Sequence, residues 1–570
     1  MLDHCSTAMG SRYLKKNLLY PLVDLNKINE RLDIIEELQK NYLHTSDLKK
    51  QLQEIYDLER IVGRISYGNL TPKDLLQLRV SLGVLPNIKV ILSKMKGTVL
   101  KNRGEKIEDF GELHKVLFKA VDENAGFTLK DGGVIKSGYS DELDNIRNIE
   151  STNKDYLLNL ELREREKTGI KTLKVGYNRV FGYYIEITKS YLDQVKDEFG
   201  YIRKQTTSNS ERFITQELKE REALILRSNE MAIELEGKLF NELRETCKAH
   251  TAKLQTLALQ ISEIDMLISL SEVAKSNNYV RPSFSRYDEM QVIAGRHPVI
   301  EAVNNKEFVP NDLVLYNDDK ILLITGPNMS GKSTFMRQNA LIVIMAQIGS
   351  FVPAKDAKLP IFDQIFTRIG SSDNIMSGES TFMVEMLEVN DAIKNATERS
   401  LVIFDEVGRG TATYDGMSLA QAIIEYFHNN IGCKTLFSTH YHELTTLEET
   451  IEGIKNYSIA VKEKGENIIF LRKIVPGGTD ESYGVHVAKL AGVPQVVTKR
   501  ANEILKTLER KSVLGEKAQE KENKKVATGQ LDLYNYKLAE IAHELDKVDL
   551  NELTPIEALN TLVNMKEKMK

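Results

Sequence analysis

From Gly326 the chain runs Pro327, Asn328, Met329, Ser330, Gly331, Lys332, Ser333 and Thr334, a G-x-x-x-x-G-K-[ST] spacing. Glycines at those two places let backbone N–H groups turn inward around an anion, and a following helix adds the positive end of its dipole. The spacing therefore points to a loop that cradles the phosphates of a nucleotide. Lys332 would reach the β- and γ-phosphates, and the Ser333 hydroxyl would hold Mg²⁺. Two further strands end in reactive groups: the apolar Leu401 to Phe404 lead into Asp405 and Glu406, and Thr435 to Thr439 deliver His440. Asp405 would bind Mg²⁺ through water, and Glu406 would polarise an attacking water. His440, at the C-terminal end of a strand, would face the same crevice and sense the γ-phosphate. Together these groups would hydrolyse Mg-ATP.

Such groups work only if an open sheet brings several strand ends together. The apolar run Ile321 to Thr325 reads as the strand before the glycine loop, with a helix after it. From Pro282 to about Leu508 strands and helices alternate, which predicts an α/β domain. Upstream, residues 11 to 150 are mostly helix-forming: Ile28, Leu32, Ile35 and Leu38 recur at helical spacing. Pro86, Gly97 and the glycines from Gly126 to Gly138 divide that stretch into several helices. Leu173 to Tyr177 and Gly182 to Ile187, β-branched and aromatic between turn formers, predict a strand pair, with a further extended segment at Tyr201 to Thr206.

Phe213 to Ser276 contains no proline and only Gly237, which predicts a helical arm of about 95 Å if unbroken. Leu224, Met231, Leu235, Leu239 and Leu243 would form its coiled-coil seam. Residues 511 to 530, with five lysines and three glutamates, read as a linker, and Leu538, Ile541 and Leu545 restore helical spacing beyond it.

The 570 residues suffice for several domains, and 41% hydrophobic with 28% charged residues is a globular profile. A net charge of −5 means that any DNA surface must be local. One candidate is residues 167 to 212, where nine lysines and arginines face five acidic residues. Cys5, Cys247 and Cys433 are too scattered for a zinc site or a disulfide framework and suit a reducing cytosol. The N-terminus has no signal-peptide pattern, and the apolar stretch Leu341 to Ala346 is too short to cross a bilayer, so a cytoplasmic protein without a membrane partner is expected.

The run Thr325 to Thr334 resembles the P-loop of the MutS family of DNA mismatch-repair proteins. Asp405 to Gly416 is similar to that family's second nucleotide motif, Ser377 to Met386 to its signature segment, and Thr439 to Leu444 to its histidine switch. The resemblance extends upstream, to Leu2 through Arg12, to Tyr177 through Ile187, and to Tyr201 through Arg212. It implies a helical lever with an inserted small β-containing clamp, then an ABC-type P-loop α/β ATPase domain and a short helical tail. The implied divisions are 1–155 for the first part of the lever, 156–250 for the clamp with its long helices, 251–283 for the returning helix, 284–510 for the ATPase domain, 511–530 for the linker and 531–570 for an oligomerisation segment.

By the same resemblance Asn328 contacts nucleotide, Phe308 stacks on adenine, and Arg472 stands where the family often has a histidine. Ser380 would touch the γ-phosphate in the partner subunit's site, giving composite sites in a homodimer or a tetramer built from it. Arg203, Lys204, Gln205, Thr206 and Asn209 would contact the phosphates of double-stranded DNA. A MutL-type repair partner is implied, and Gln530 to Tyr534 is similar to the peptide by which bacterial repair proteins bind the sliding clamp. The family inserts a phenylalanine, followed two residues later by a glutamate, at mismatches. Phe110-Gly111-Glu112 and Phe240-Asn241-Glu242 lack that context, so the expectation is DNA clamping and ATP hydrolysis without the mismatch-reading domain. A related scaffold switched by ATP without significant turnover is the alternative. An ABC-type transport ATPase shares the signature logic but would need membrane spans.

Overall fold

The computed structural model describes residues 1–178, 182–303, 308–327, 330–370, 381–464, 467–478, 483–505 and 507. Asn328, Met329, Ser380 and the tail segment Gln530 to Tyr534 lie outside them. The architecture is mixed, with a helical body followed by α/β structure.

Seven helices from Ala8–Leu19 to Gly111–Ala120 form the first part of the body. Leu25–Lys40 shows why they form: the Asp24 carboxylate caps the N–H groups of Asn26 and Lys27, and Ile28, Leu32, Ile35 and Leu38 make a buried stripe. At the centre lies Thr251–Ser276, whose Leu254, Ile261, Ile264, Leu267 and Leu270 are fully or almost fully buried. Its Asp265 is buried too and accepts hydrogen bonds from Ser6 N, Thr7 N and Thr7 Oγ1, fastening the start of the chain to the central helix. Among the described residues one helix, Pro72–Lys94, is long and apolar enough to cross a membrane. That apolarity is core: Leu75, Leu78, Ile88 and Leu92 are fully buried.

The helices Asp141–Thr168 and Gln216–Lys248 run out of the body side by side and carry a four-stranded antiparallel sheet at their far ends. Its strands are β1 (Lys174–Asn178), β2 (Gly182–Thr188), β3 (Ile202–Thr206) and β4 (Ser210–Ile214), in the order β1-β2-β4-β3. The predicted β1–β2 pair is present, with Lys174 opposite Glu186 and Tyr177 opposite Tyr183.

Two expectations for the arm fail. Phe213 lies in β4, and the helix beyond it breaks at Ala249 and His250. At His250 (φ −101°, ψ 6°) the backbone leaves helical geometry and the ring Nδ1 sits 3.0 Å from the Thr246 carbonyl. The seam is also rotated by about one residue in its outer half: Leu218, Ile225 and Ala232 are buried, whereas Leu224 is 45% and Met231 47% exposed. Nearer the body the predicted Leu243 is buried and Leu235 and Leu239 pack against the core, beside Phe240 and Cys247.

After the central helix come β5 (Ser283–Phe284), β6 (Met290–Gly295), β7 (Asn311–Leu315), β8 (Ile321–Thr325) and β9 (Asp356–Leu359). There follow β10 (Ile365–Arg368), β11 (Leu401–Asp405), β12 (Lys434–Thr439), β13 (Ile454–Lys464) and β14 (Asn467–Pro476). A small sheet has the order β5-β9-β6-β7, and a six-stranded sheet the order β10-β11-β12-β8-β13-β14. In the large sheet β10, β11, β12, β8 and β13 are parallel, and only the edge strand β14 runs against them. The central strands β8, β11 and β12 are buried along their whole length, which explains the unbroken apolar runs of β8 and β11.

The helix Lys332–Gln347 that follows β8 is bolted to the helical body at its far end. The Gln347 carbonyl accepts from Leu22 N, and its side-chain amide donates to the Leu22 and Phe362 carbonyls. Arg31, buried, donates to the Ile348 carbonyl and Asn17 Oδ1, both at 2.9 Å, and pairs with Glu263 of the central helix at 3.1 Å.

Candidate nucleotide site

The register of the large sheet aligns the predicted groups. Asp405 on β11 lies opposite Ser438 on β12, and Thr439 lies opposite Thr325 on β8, so three strand ends open on one edge. Loops at the C-terminal edge of a parallel sheet are where such folds bind ligands. A cleft of about 520 Å³ opens there, lined by Gly326, Pro327, Glu406, Arg409, His440 and Tyr441 among others.

Gly331 takes a left-handed conformation (φ 113°) and precedes the helix that begins at Lys332. Lys332 is 3% exposed, and its Nζ donates to the Gly326 carbonyl at 2.5 Å and the Pro327 carbonyl at 3.0 Å. Burial lowers its pKa, and the nearby charges of Glu406 and Asp405 oppose that shift. Phosphate oxygens would have to take this ammonium from the loop carbonyls. Ser330 donates to the Pro327 carbonyl at 2.5 Å, bracing the loop from inside. Ser333 and Thr334 are half-buried in the first turn of the helix.

The buried Asp405 carboxylate accepts from Ser438 Oγ. Glu406 has φ 57°, a left-handed geometry that a non-glycine residue adopts only when its surroundings hold it there. The holding groups are visible: Glu406 N donates to the Ser438 carbonyl at 3.1 Å and to Ser438 Oγ at 3.2 Å. Its carboxylate accepts from His440 Nε2 at 2.6 Å and from Arg409, and lies 3.8 Å from Lys332 Nζ. Burial would raise this carboxyl, but the His440 hydrogen bond and the charges of His440, Arg409 and Lys332 outweigh it and bring it to about 2. Glu406 is therefore ionised at neutral pH, as a group that polarises water must be. The Asp405 carboxylate and the Ser333 hydroxyl are hard oxygen donors of the kind Mg²⁺ takes.

The sequence did not single out the groups that shape this edge. Ser438 contacts both carboxylate residues, and only its register opposite Asp405 could have betrayed it. Glu385, on the helix Thr381–Asn395, accepts the Gly408 N–H at 2.6 Å, and Tyr441 donates to the Gly408 carbonyl at 3.0 Å. Gly408 and Gly416 pass so close that a Cβ on Gly416 would sit 2.1 Å from the Gly408 carbonyl oxygen.

Phe308 is half-buried beside the segment that carries Arg472: Asn311 Nδ2 donates to the Val309 carbonyl at 3.2 Å and the Arg472 carbonyl at 3.0 Å. Neither Phe308 nor Arg472 lines the 520 Å³ cleft. Far from it, Arg203, Lys204, Gln205, Thr206 and Asn209 gather on and just after β3. Arg203 is tied to Glu211 and to Thr206 Oγ1, and Gln205 accepts from Arg212 at 3.0 Å. Lys204 and Asn209 are exposed.

Comparison with known proteins agrees with both halves. MutS domain III matches residues 1–271 and MutS domain V matches residues 322–509. The chain is 49% identical over its whole length to the DNA mismatch repair protein MutS of Caldicellulosiruptor bescii, covering 66% of that protein. It is 48% identical over 99% of its length to the protein of that name from Methanosarcina mazei, covering 65%. With that of Bacillus subtilis the identity is 47% over the whole chain, covering 68%. The chain thus spans about two thirds of the length of the curated relatives it matches. Carrying both domains in order, and nearly half identical to these relatives from end to end, the chain belongs to the MutS family of DNA mismatch repair proteins.

Proposed function

We propose that this chain is a DNA-clamping ATPase of mismatch repair, cytoplasmic, whose β-sheet at the arm tips meets double-stranded DNA and whose strand-end cleft hydrolyses ATP. The observation that carries the reading is the ionised, backbone-constrained Glu406 beside Lys332 and His440 at the edge of a parallel sheet. In this reading the loop from Gly326 through Asn328 and Met329 to Thr334 wraps the phosphates, with Lys332 supplying positive charge to the β- and γ-oxygens. Phe308 takes the adenine. Ser333 and Asp405 would hold Mg²⁺, which when bound neutralises charge on the phosphates. Glu406 orients the attacking water, and His440, sharing its carboxylate, reports whether the γ-phosphate is in place. Ser380 completes the site of a second copy, so the working unit is a homodimer, and tetramers, a MutL-type partner and the sliding clamp at Gln530 to Tyr534 belong to the same proposal.

The two F-x-E strings do not serve as a mismatch wedge in these residues, because Phe110 and Phe240 are 4% and 3% exposed within the helical body. The proposal is that residues 1–570 clamp DNA without telling a mismatch from a perfect pair. A second reading, an ATP-operated switch without significant turnover, draws support from the way His440 and Arg409 already engage the Glu406 carboxylate. Steady-state ATP turnover of the purified chain, alone, with a perfect duplex and with a G·T duplex, separates these readings. The expected result is turnover that changes with DNA and equally for both duplexes. No turnover above a Glu406→Gln control would leave only the switch, and a mismatch-specific response would overturn the proposed indifference to mispairs.

A further inference from the structure

Glu385 belongs to no strand end and does not line the cleft, yet it is 4% exposed and contacts the loop that presents Glu406. Its Oε1 accepts the Gly408 N–H at 2.6 Å, and its Oε2 pairs at 3.2 Å with Arg368, itself 7% exposed. Arg368 in turn meets Glu388, one turn further along the same helix, at 3.1 Å. The Gly408 peptide unit is thus gripped at both ends, its N–H by Glu385 and its carbonyl by Tyr441 at 3.0 Å. On its other side the Gly416 backbone passes so close that a Cβ on either glycine would overlap the other's carbonyl oxygen. Two residues upstream in this turn stands Glu406, with the left-handed φ of 57°. A conformation of that kind persists only while neighbours over-determine it.

We propose that Glu385 is a positioning residue for hydrolysis: through the Gly408 N–H it fixes the turn that aims the Glu406 carboxylate. Because Glu385 lies on the helix Thr381–Asn395, a shift of that helix would carry with it the turn that aims the water-orienting Glu406 of the same chain. The proposal rests on the reading of Glu406 as the residue that orients the attacking water, and adds what holds that residue in place.

The test is the kinetics and ATP binding of Glu385→Ala, Glu385→Gln and Tyr441→Phe, beside Glu406→Gln. Glu385→Ala is expected to lower kcat at least about tenfold with the KM for ATP within about twofold, because a displaced water-orienting carboxylate costs rate rather than affinity. Glu385→Gln keeps an oxygen for the Gly408 N–H and should restore most of that loss. Wild-type kcat in Glu385→Ala, or parallel loss of ATP binding in Glu385→Ala and Glu385→Gln, overturns the positioning role. If Glu385→Ala does not fold, Tyr441→Phe decides: a severalfold lower kcat at unchanged KM supports the grip on Gly408, and an unchanged kcat refutes it. Turnover in Glu406→Gln equal to wild type would instead sink the reading of Glu406, whatever Glu385 does.

Discussion

Lys332 donates to two carbonyls of its own loop, so removing it deletes a phosphate contact and also strips two acceptors of their donor. Charge-assisted hydrogen bonds of this kind contribute about 1.5–3 kcal/mol each. Lys332→Ala should therefore weaken ATP binding by about one to two orders of magnitude while leaving the helical circular-dichroism signal intact; loss of that signal would count against the account. Glu406 yields a pH prediction. Its carboxyl sits near 2, below the ordinary 4.5, so the ionised form is favoured in the folded protein. That stabilisation is complete above about pH 4.5 and disappears as the pH falls towards about 2. A shift of this size corresponds to on the order of 3 kcal/mol. Urea unfolding of wild type and Glu406→Gln should differ at pH 7, and the difference should shrink as the pH drops below 4.5. A difference that is constant with pH would contradict it.

At the scale of elements, the junction between the P-loop helix and the helical body carries the next prediction. Gly349 follows the end of that helix with φ 82°, and a Cβ there would sit 2.5 Å from the Arg31 Cβ. Gly349→Ala meets both backbone strain and overlap with a buried, ion-paired arginine, and should destabilise the protein by about 1–3 kcal/mol, read as an earlier urea midpoint. Elements whose neighbours are apolar on every side were legible in the sequence: β8 and β11 announce themselves as unbroken apolar runs ending in Gly326 and Asp405, and the shorter Leu436-Phe437 core of β12 leads to His440. The β1–β2 pair was legible from its aromatic residues. Less legible was β4, because Ser210, Glu211 and Arg212 spend their side chains on Thr207, Arg203, Glu186 and Gln205 rather than on an apolar face. The arm offered two nearly equal stripes, one through Leu224 and Met231 and one through Leu218 and Ile225, and only packing against Asp141–Thr168 chooses between them. Its break at His250 uses neither proline nor glycine and so leaves no mark in the pattern. Ser438, Glu385 and Tyr441 were missed for a related reason, since their roles come from register and tertiary approach rather than from spacing.

Across the whole molecule, charge is distributed so that an acidic chain presents an exposed lysine at the end of its arms. Lys204 stands free of the ion pairs that occupy Arg203 and Arg212 among the described contacts. A phosphate contact by one such lysine changes the slope of log affinity against log salt by about one. Lys204→Ala should therefore reduce that slope by about one and weaken perfect and G·T duplexes alike, measured by fluorescence anisotropy over a salt series. An unchanged slope would place the DNA surface elsewhere.

The return arm Gln216–Lys248 also has a geometric consequence. Its inner half is packed in the body from Ala232 onward, so the part that projects, from Gln216 to Met231, is a rod of about 24 Å. For a stiff rod of that length, a tilt of about 8° at the root sweeps the tip through about 3.4 Å. Successive phosphates along one DNA strand are spaced about 3.4 Å apart in rise. A bend of a few degrees where the arm leaves the body is therefore enough to move the tip contacts by about a nucleotide step.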